Sequence, residues 1–286
     1  MADVYAPPDS PADERRMVAA HHRAATRLDV TVTGPASWGW NGRTLGRRAH
    51  HREHGDCWLR LDSAPVARRP DVLWEGTSVA WTALPGVPQP RLYAVDESSA
   101  DGMLYRAELA AYLSSPVCSA FPVLRTPLDL PDRWWASLRD SLTLVSAART
   151  DRPTVRRQWL DRAFPRFLGL PAPRHMEFTA AHGDLHWSNL THRGPVLLDW
   201  EAYGTAPRGY DAALLLAYSL LVPQTAARVR AELAHLLDTP AGRIARLTAA
   251  AELLQNASRG DHPELIPKLG EFAAEAGAPA VYPVAS

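Results

Sequence analysis

The chain is almost without lysine: of its 31 basic Lys and Arg residues, Lys268 is the single lysine and the rest are arginine. Any side-chain cation needed before that position must therefore be a guanidinium, a planar fork that binds oxyanions two atoms at a time and keeps its proton. Cysteine is equally sparse. Cys57 and Cys118 are the only two and stand far apart, which excludes a disulfide framework or a zinc knuckle and leaves an expectation of buried thiols. No apolar run reaches membrane-spanning length, and the first residues carry Asp3, Asp9, Asp13 and Glu14 among prolines rather than a basic stretch followed by an apolar one. A cytoplasmic protein with no membrane partner is expected. Formal net charge is zero, which excludes a general electrostatic attraction to nucleic acid. Composition leaves the oligomeric state unknown.

The 286 residues, 46% of them apolar, suffice for one large domain or for two lobes, and two lobes are the expectation. Residues 1–27 read as a flexible N-terminal segment, with a Pro/Asp/Ser-rich start and a short helix of thin apolar content from Ala12 to Arg27. Residues 28–112 read as β-rich. Strand-like segments occur at Leu28–Thr33, Trp38–Trp40, Arg43–Gly46 and Cys57–Leu61, and Asn41-Gly42 between two of them is a hairpin signal. A helix is predicted from Pro70 to Leu84, then short strands at Arg91–Val95 and Met103–Leu109 around a turn-like stretch, Asp96–Gly102. Residues 113–286 read as helical, with segments at Pro131–Arg149, Thr154–Leu168, Tyr210–Leu221, Gln224–Leu237, Gly242–Asn256 and Pro263–Ala276. The class is α+β, a small antiparallel sheet with one helix followed by a larger helical part, and no internal repeat is visible.

One stretch interrupts the helices and carries the chemistry. His182-Gly183-Asp184-Leu185-His186-Trp187-Ser188-Asn189 is followed by the apolar Val196-Leu197-Leu198 and then Asp199-Trp200-Glu201. Phosphoryl transfer asks little covalent chemistry of a protein: a carboxylate to take the acceptor hydroxyl's proton and oxygen ligands for Mg²⁺. An Asp and an Asn with four residues between them, and one further Asp delivered by an apolar run, supply both. A single loop Asp is more often a turn or cap residue; the set of three outweighs that reading.

These residues, together with Pro207-x-x-Tyr210-Asp211-x-Ala213, resemble the aminoglycoside phosphotransferase and choline kinase group of the protein-kinase-like fold. The motifs span about a tenth of the chain, and the β-then-α order agrees over nearly all of it. The resemblance implies two lobes, N-lobe 28–112 and C-lobe 113–286, with Asp184 as catalytic base, His182 bracing its loop, Asn189 and Asp199 as Mg²⁺ ligands, and Asp211 tying the next helix to that loop. It further implies that Asn41, Gly42 and Arg43 cover the nucleotide phosphates, and that Arg60 takes the position of the usual strand lysine with Glu75 as its helix partner. Glu108 and Leu109 would present hinge backbone to the base. The implied cofactors are ATP or GTP with Mg²⁺, and the implied partner is a small-molecule hydroxyl acceptor such as an aminoglycoside or other antibiotic, an amino alcohol or a sugar.

Two other functions stay open at this point. The absence of lysine and a glycine-poor hairpin fit a non-catalytic, kinase-like nucleotide-binding module. The alternation of His182, Asp184 and His186 fits a metal-dependent hydrolase. Smaller features have plainer readings: His50-His51-Arg52-Glu53-His54 as a solvated turn, Arg60 and Glu75 as a surface pair, and most tryptophans as core, with Trp187 and Trp200 the two placed to stack on a ligand. Acidic residues at Asp238, Glu252, Asp261 and Glu264 would favour a cationic acceptor, although helix faces carry such residues in any case.

Overall fold

Apolar or small residues recur at Met17, Ala20, Ala24 and Ala25, one stripe of a helix, with His21 on the same face. In the computed structural model, which describes residues 5–67 and 72–279, that stripe is buried along α1, Pro11–Arg27. Ser10 caps it by accepting from the Asp13 N–H at 3.3 Å. The expectation of a flexible segment over residues 1–27 is thus corrected from Tyr5 onward: small residues sufficed, because alanines let a helix approach a sheet closely.

The sheet that α1 covers runs in the order β1 (Val30–Val32), β3 (Thr44–His51), β4 (Gly55–Pro65), β6 (Met103–Ala111), β5 (Leu92–Ala100), with β2 (Ser37–Trp38) also on β3 and every pairing antiparallel. Period-two alternation divides its faces. Leu59 and Leu61 on β4 and Tyr105, Ala107 and Leu109 on β6 bury against α1, whereas Arg60, Asp62, Arg106 and Glu108 take the opposite face. Asn41 and Gly42 both have positive φ, at 50° and 65°, inside the loop joining β2 to β3, so the Asn-Gly signal marked a true reversal in a longer connection than two residues. The turn expected across Asp96–Gly102 narrows to Asp101-Gly102, again with positive φ at both, because β5 continues to Ala100.

Chain contacts divide the molecule into two units, residues 1–74 with 90–114 and residues 75–89 with 115–286. The predicted helix over Pro70–Leu84 appears as a 3₁₀ turn, Val72–Glu75, and α2, Gly76–Ala83; Pro70 and Asp71 lie outside the described residues. This helix belongs with the second unit, not with residues 28–112. It is followed there by α3 (Asp132–Ala147), α4 (Arg157–Ala163), β7 (Phe178–Ala181), β8 (Gly204–Pro207), α5 (Tyr210–Ala217), α6 (Pro223–Glu232), α7 (Ala234–Leu237), α8 (Pro240–Ala257) and α9 (Ile266–Glu275). α5 is buried along its whole length and packs on α8, so the second unit has a helical core to which the two-stranded β7–β8 ribbon is attached. Cys57 and Cys118 are buried free thiols. No described helix is long and apolar enough to cross a membrane.

Burial makes one residue of α1 acid-sensitive. His21 is inaccessible and its Nε2 lies 3.1 Å from the Leu59 carbonyl, and burial, with smaller contributions from Arg47 and His22, lowers its pKa from 6.5 to about 4. A histidine held neutral in the fold contributes fully above its unfolded pKa, and the contribution is lost as pH falls from 6.5 through about 4. Chemical denaturation across that window should show a loss of about 3 kcal/mol, which His21→Leu removes from the pH profile.

Candidate phosphotransfer site

β7 ends at Ala181, and the next two backbone N–H groups, those of His182 and Gly183, both point to Asp211 at the start of α5. Oδ2 accepts from His182 at 2.8 Å and Oδ1 from Gly183 at 2.9 Å. Asp211 is buried. Burial raises its pKa, and the neighbouring His182 and the two N–H bonds oppose that rise without cancelling it. Gly183 has φ +90°, and a Cβ there would fall 2.3 Å from the Ala202 carbonyl oxygen. Glycine is required twice over, by conformation and by space.

The His182 ring joins the two halves of the motif. Its Nε2 lies 2.8 Å from the Leu198 carbonyl, and its Nδ1 accepts the Asp184 N–H at 3.3 Å, so the proton belongs on Nε2. The same ring lies 4.5 Å from Trp200. Both nitrogens are thereby spent and none is left for a metal. His186 is likewise occupied, with Ser188 Oγ at 3.0 Å on Nδ1 and Asp184 Oδ2 at 3.4 Å from Nε2. The hydrolase reading of His182, Asp184 and His186 fails on these contacts.

Asp184 keeps about 40% of its side chain exposed, unlike the buried residues around it. Its enclosed setting raises the carboxyl's pKa, but the charge and hydrogen bond of His186 and the nearby His182 more than offset this, leaving it below the ordinary Asp range and ionised at neutrality. Asn189 donates its Nδ2 to the Asp184 carbonyl at 3.0 Å, which turns Oδ1 away as an acceptor. Its own carbonyl accepts the Leu198 N–H at 2.9 Å, and Leu190 bridges Leu197, so the loop of Asn189 and the run before Asp199 lie side by side.

Asp199 is exposed and left-handed, with φ 58° and ψ 67°. A non-glycine residue there is strained by about 1–3 kcal/mol, a cost carried where surrounding structure over-determines the backbone. Buried Leu197 precedes it, Trp200 follows and donates Nε1 to the Leu197 carbonyl at 2.9 Å, and residues 200–202 are held by Gly183, by Thr154 on the Ala202 carbonyl, and by Gly76 of α2. A Cβ on Gly76 would lie 2.0 Å from the Glu201 carbonyl oxygen. The Asn189 amide oxygen and the Asp199 carboxylate are hard oxygen donors of the type Mg²⁺ takes, so the residues fit that ion.

In the first unit, Arg60 and Glu108 face each other across β4 and β6, with Nη1 to Oε2 at 3.8 Å. Glu108 also holds Arg106 Nε at 3.2 Å, and Arg106 reaches Glu97 at 2.6 Å. Within its own unit, Arg60 therefore has a strand glutamate as partner; Glu75 begins the other unit. The hinge assignment of Glu108 and Leu109 is corrected too. Both lie within β6, paired to β4 on one side and β5 on the other, so their backbone groups belong to the sheet ladder, and the chain leaves this unit only at Ser114. Asn41 and Gly42 sit at the β2–β3 reversal, and Arg43 just beyond approaches Asp62 at 3.6 Å.

Trp187 and Trp200 do not face a ligand. Both are fully buried; Trp187 stacks with Trp134 and donates to Ser219 Oγ at 2.9 Å. The histidine run sits in the β3–β4 turn, where His51 stacks on His54 and His54 on Tyr93. Glu252 proves more informative than its sequence setting suggested. The Tyr210 hydroxyl donates to it, and burial, aided by the Asp184 charge, pushes its pKa from 4.5 up to about 7. No pattern in the sequence joined α8 to the Asp184 loop.

The order of these elements is that of the α+β protein-kinase-like fold shared by antibiotic phosphotransferases. Among solved structures, the chain is similar to APH(2")-IIia in its GDP and kanamycin complex, with TM-score 0.54, 16% identity, and coverage of 92% of this chain and 97% of that one. It is also similar to amicoumacin kinase hAmiN in complex with AMP-PNP, Ca2+ and Ami, with TM-score 0.53, 10% identity, and coverage of 91% and 95%. An aminoglycoside-3'-phosphotransferase of type VIII aligns with TM-score 0.52, 18% identity, and coverage of 81% and 97%. No protein-family model and no curated protein matches the sequence.

Removing the Asp211 carboxylate leaves two buried N–H groups without an acceptor. Asp211→Ala should lower unfolding free energy by about 3 kcal/mol, measured by urea denaturation.

Proposed function

We propose that this chain is a small-molecule kinase that moves the γ-phosphoryl group of ATP or GTP to a hydroxyl of a small acceptor in the cytoplasm. The observation that carries this reading is the partly exposed, ionised Asp184 on a loop whose backbone Asp211 and His182 hold rigid, with Asn189 bonded to the same loop and Asp199 alongside its apolar run. Asp184 accepts the hydroxyl proton as the acceptor oxygen attacks phosphorus, and its position costs no reorganisation at that moment. Asn189 and Asp199 would hold Mg²⁺, which when bound offsets charge on the phosphates. From the first unit, Arg60, backed by Glu108, and the Asn41-Gly42-Arg43 reversal are the groups assigned to the phosphates. The fold neighbours named for kanamycin, amicoumacin and aminoglycosides support an antibiotic-like acceptor, and Glu252 supports one that carries an amine.

A second reading, a nucleotide-binding module without turnover, is favoured by Arg60 and its strand partner Glu108 in place of a lysine and helix glutamate. Calorimetry with MgATP and MgGTP followed by a phosphate-transfer screen over aminoglycosides, amino alcohols and sugars separates the two. With an accepted substrate, Asp184→Ala should reduce kcat by about a hundredfold or more while nucleotide Kd stays within about threefold. Turnover preserved in that variant would sink the assignment.

Glu252 titrates at about 7, so its charge grows as pH rises through neutrality. An amine-bearing acceptor should show a KM that falls over the same interval, and Glu252→Gln should flatten that dependence.

A further inference from the structure

The first turns of α4 are followed not by more α-helix but by a π turn, Phe164–Leu168, which Gly169 ends with φ 67°. Pro165 explains the widening, since it has no N–H for the carbonyl four residues back. Single π turns of this kind recur at functional positions. Here the turn and the C-terminal end of α8 border a hollow of about 370 Å³, lined by Trp159, Arg162, Arg166, Phe167, Gln255 and Arg259 among others. That size suits a small ligand.

Among the described residues no carboxylate lines this hollow. Some exposed arginines elsewhere in the unit are matched, Arg157 by Asp161, Arg208 by Glu177 and Arg230 by Glu275. Arg162, Arg166 and Arg259 form no ion pair with a described residue. Arg162 and Arg166 are four apart in sequence, and Arg259 is brought to them from the end of α8, so three like charges gather with no described carboxylate to offset their repulsion. A bound anion would offset it.

The remaining lining supplies flat apolar surface. The Trp159 indole N–H donates to Gln255 Oε1 at 2.7 Å, which locks the ring in place and leaves the Gln255 amide N–H groups as further donors. The Arg166 guanidinium lies 5.2 Å from the centre of the Phe167 ring.

We propose that this hollow is a second binding site, for a small organic phosphate bearing a planar ring, with arginine forks on the phosphate oxygens and the ring against Trp159. Arginine suits phosphate by geometry as well as charge. The site uses none of the residues assigned to phosphotransfer, and its occupancy does not depend on that reaction.

Phenyl phosphate is the probe, titrated calorimetrically into the full chain beside inorganic phosphate and phenol, and the arginine variants of the hollow separate its binding from any at the phosphotransfer site. Saturable binding of phenyl phosphate, tighter than either fragment, is the expected result. Arg162→Ala and Arg259→Ala should each weaken it about tenfold, with unchanged thermal midpoints, since both side chains are exposed. Trp159→Leu should abolish the preference over inorganic phosphate, and Arg162→Lys should restore only part of the affinity. The proposal is overturned by no saturable binding at about 10 mM, by affinity unmoved in both alanine variants, or by a phosphotyrosine peptide that binds far tighter than phenyl phosphate, which would make the site a protein-docking one.

Discussion

One carboxylate holds the turn after β7 in shape. Asp211 takes both N–H groups that the chain exposes as it leaves β7, and without it the backbone of His182 and Gly183 would be buried with unmet donors. From that anchor the rest follows in order. Gly183 adopts a conformation other residues resist, the His182 ring reaches Leu198, and the Asp184 side chain is left pointing outward from a backbone with little freedom. The charge of Asp211 costs free energy to bury, and its pKa rises accordingly. Its return is rigidity in the turn that presents Asp184.

The second constraint is steric. Residues 200–202 are approached so closely by Gly183 and Gly76 that a single added methyl at either would overlap a carbonyl oxygen. Asp199 sits immediately before this clamped segment and two residues after buried Leu197, and its left-handed backbone is what the two ends leave open to it. Strain of this sort is stable only under such enclosure. It also explains why α2 belongs with the helical unit: its first residue rests on the segment that fixes Asp199.

The first unit solves the lysine deficit locally. Arg60 and Glu108 are opposite one another in the β4–β6 register, so their pairing is built into the sheet and extends through Arg106 to Glu97. A cross-strand pair is set by register, whereas a strand-to-helix pair depends on how a helix is placed. Arg27, Arg48 and Arg157 are likewise neutralised by a carboxylate within reach, whereas the three arginines gathered at the hollow beside Trp159 meet none among the described residues.

Much was legible in the sequence because it depends on neighbours along the chain. The spacing of Asp184, Asn189 and Asp199 pointed to phosphotransfer, and Asn41-Gly42 and the stretch Asp96–Gly102 marked reversals. These are local rules of periodicity and backbone conformation, and they hold wherever the segment lies. What the sequence misjudged or could not reach depends on contacts distant along it. The α1 stripe looked too thin to fold until a sheet lay under it, Glu108 looked like a hinge until β5 and β6 proved longer, and Trp187 and Trp200 looked available until the core closed over them. Glu252 near Asp184, and Arg259 beside Arg162, are brought together by helix packing alone. Residue types and local spacing thus determined which reaction the chain is equipped for; tertiary packing, by burying some of those residues and bringing together others far apart in sequence, decided which of them are placed to act.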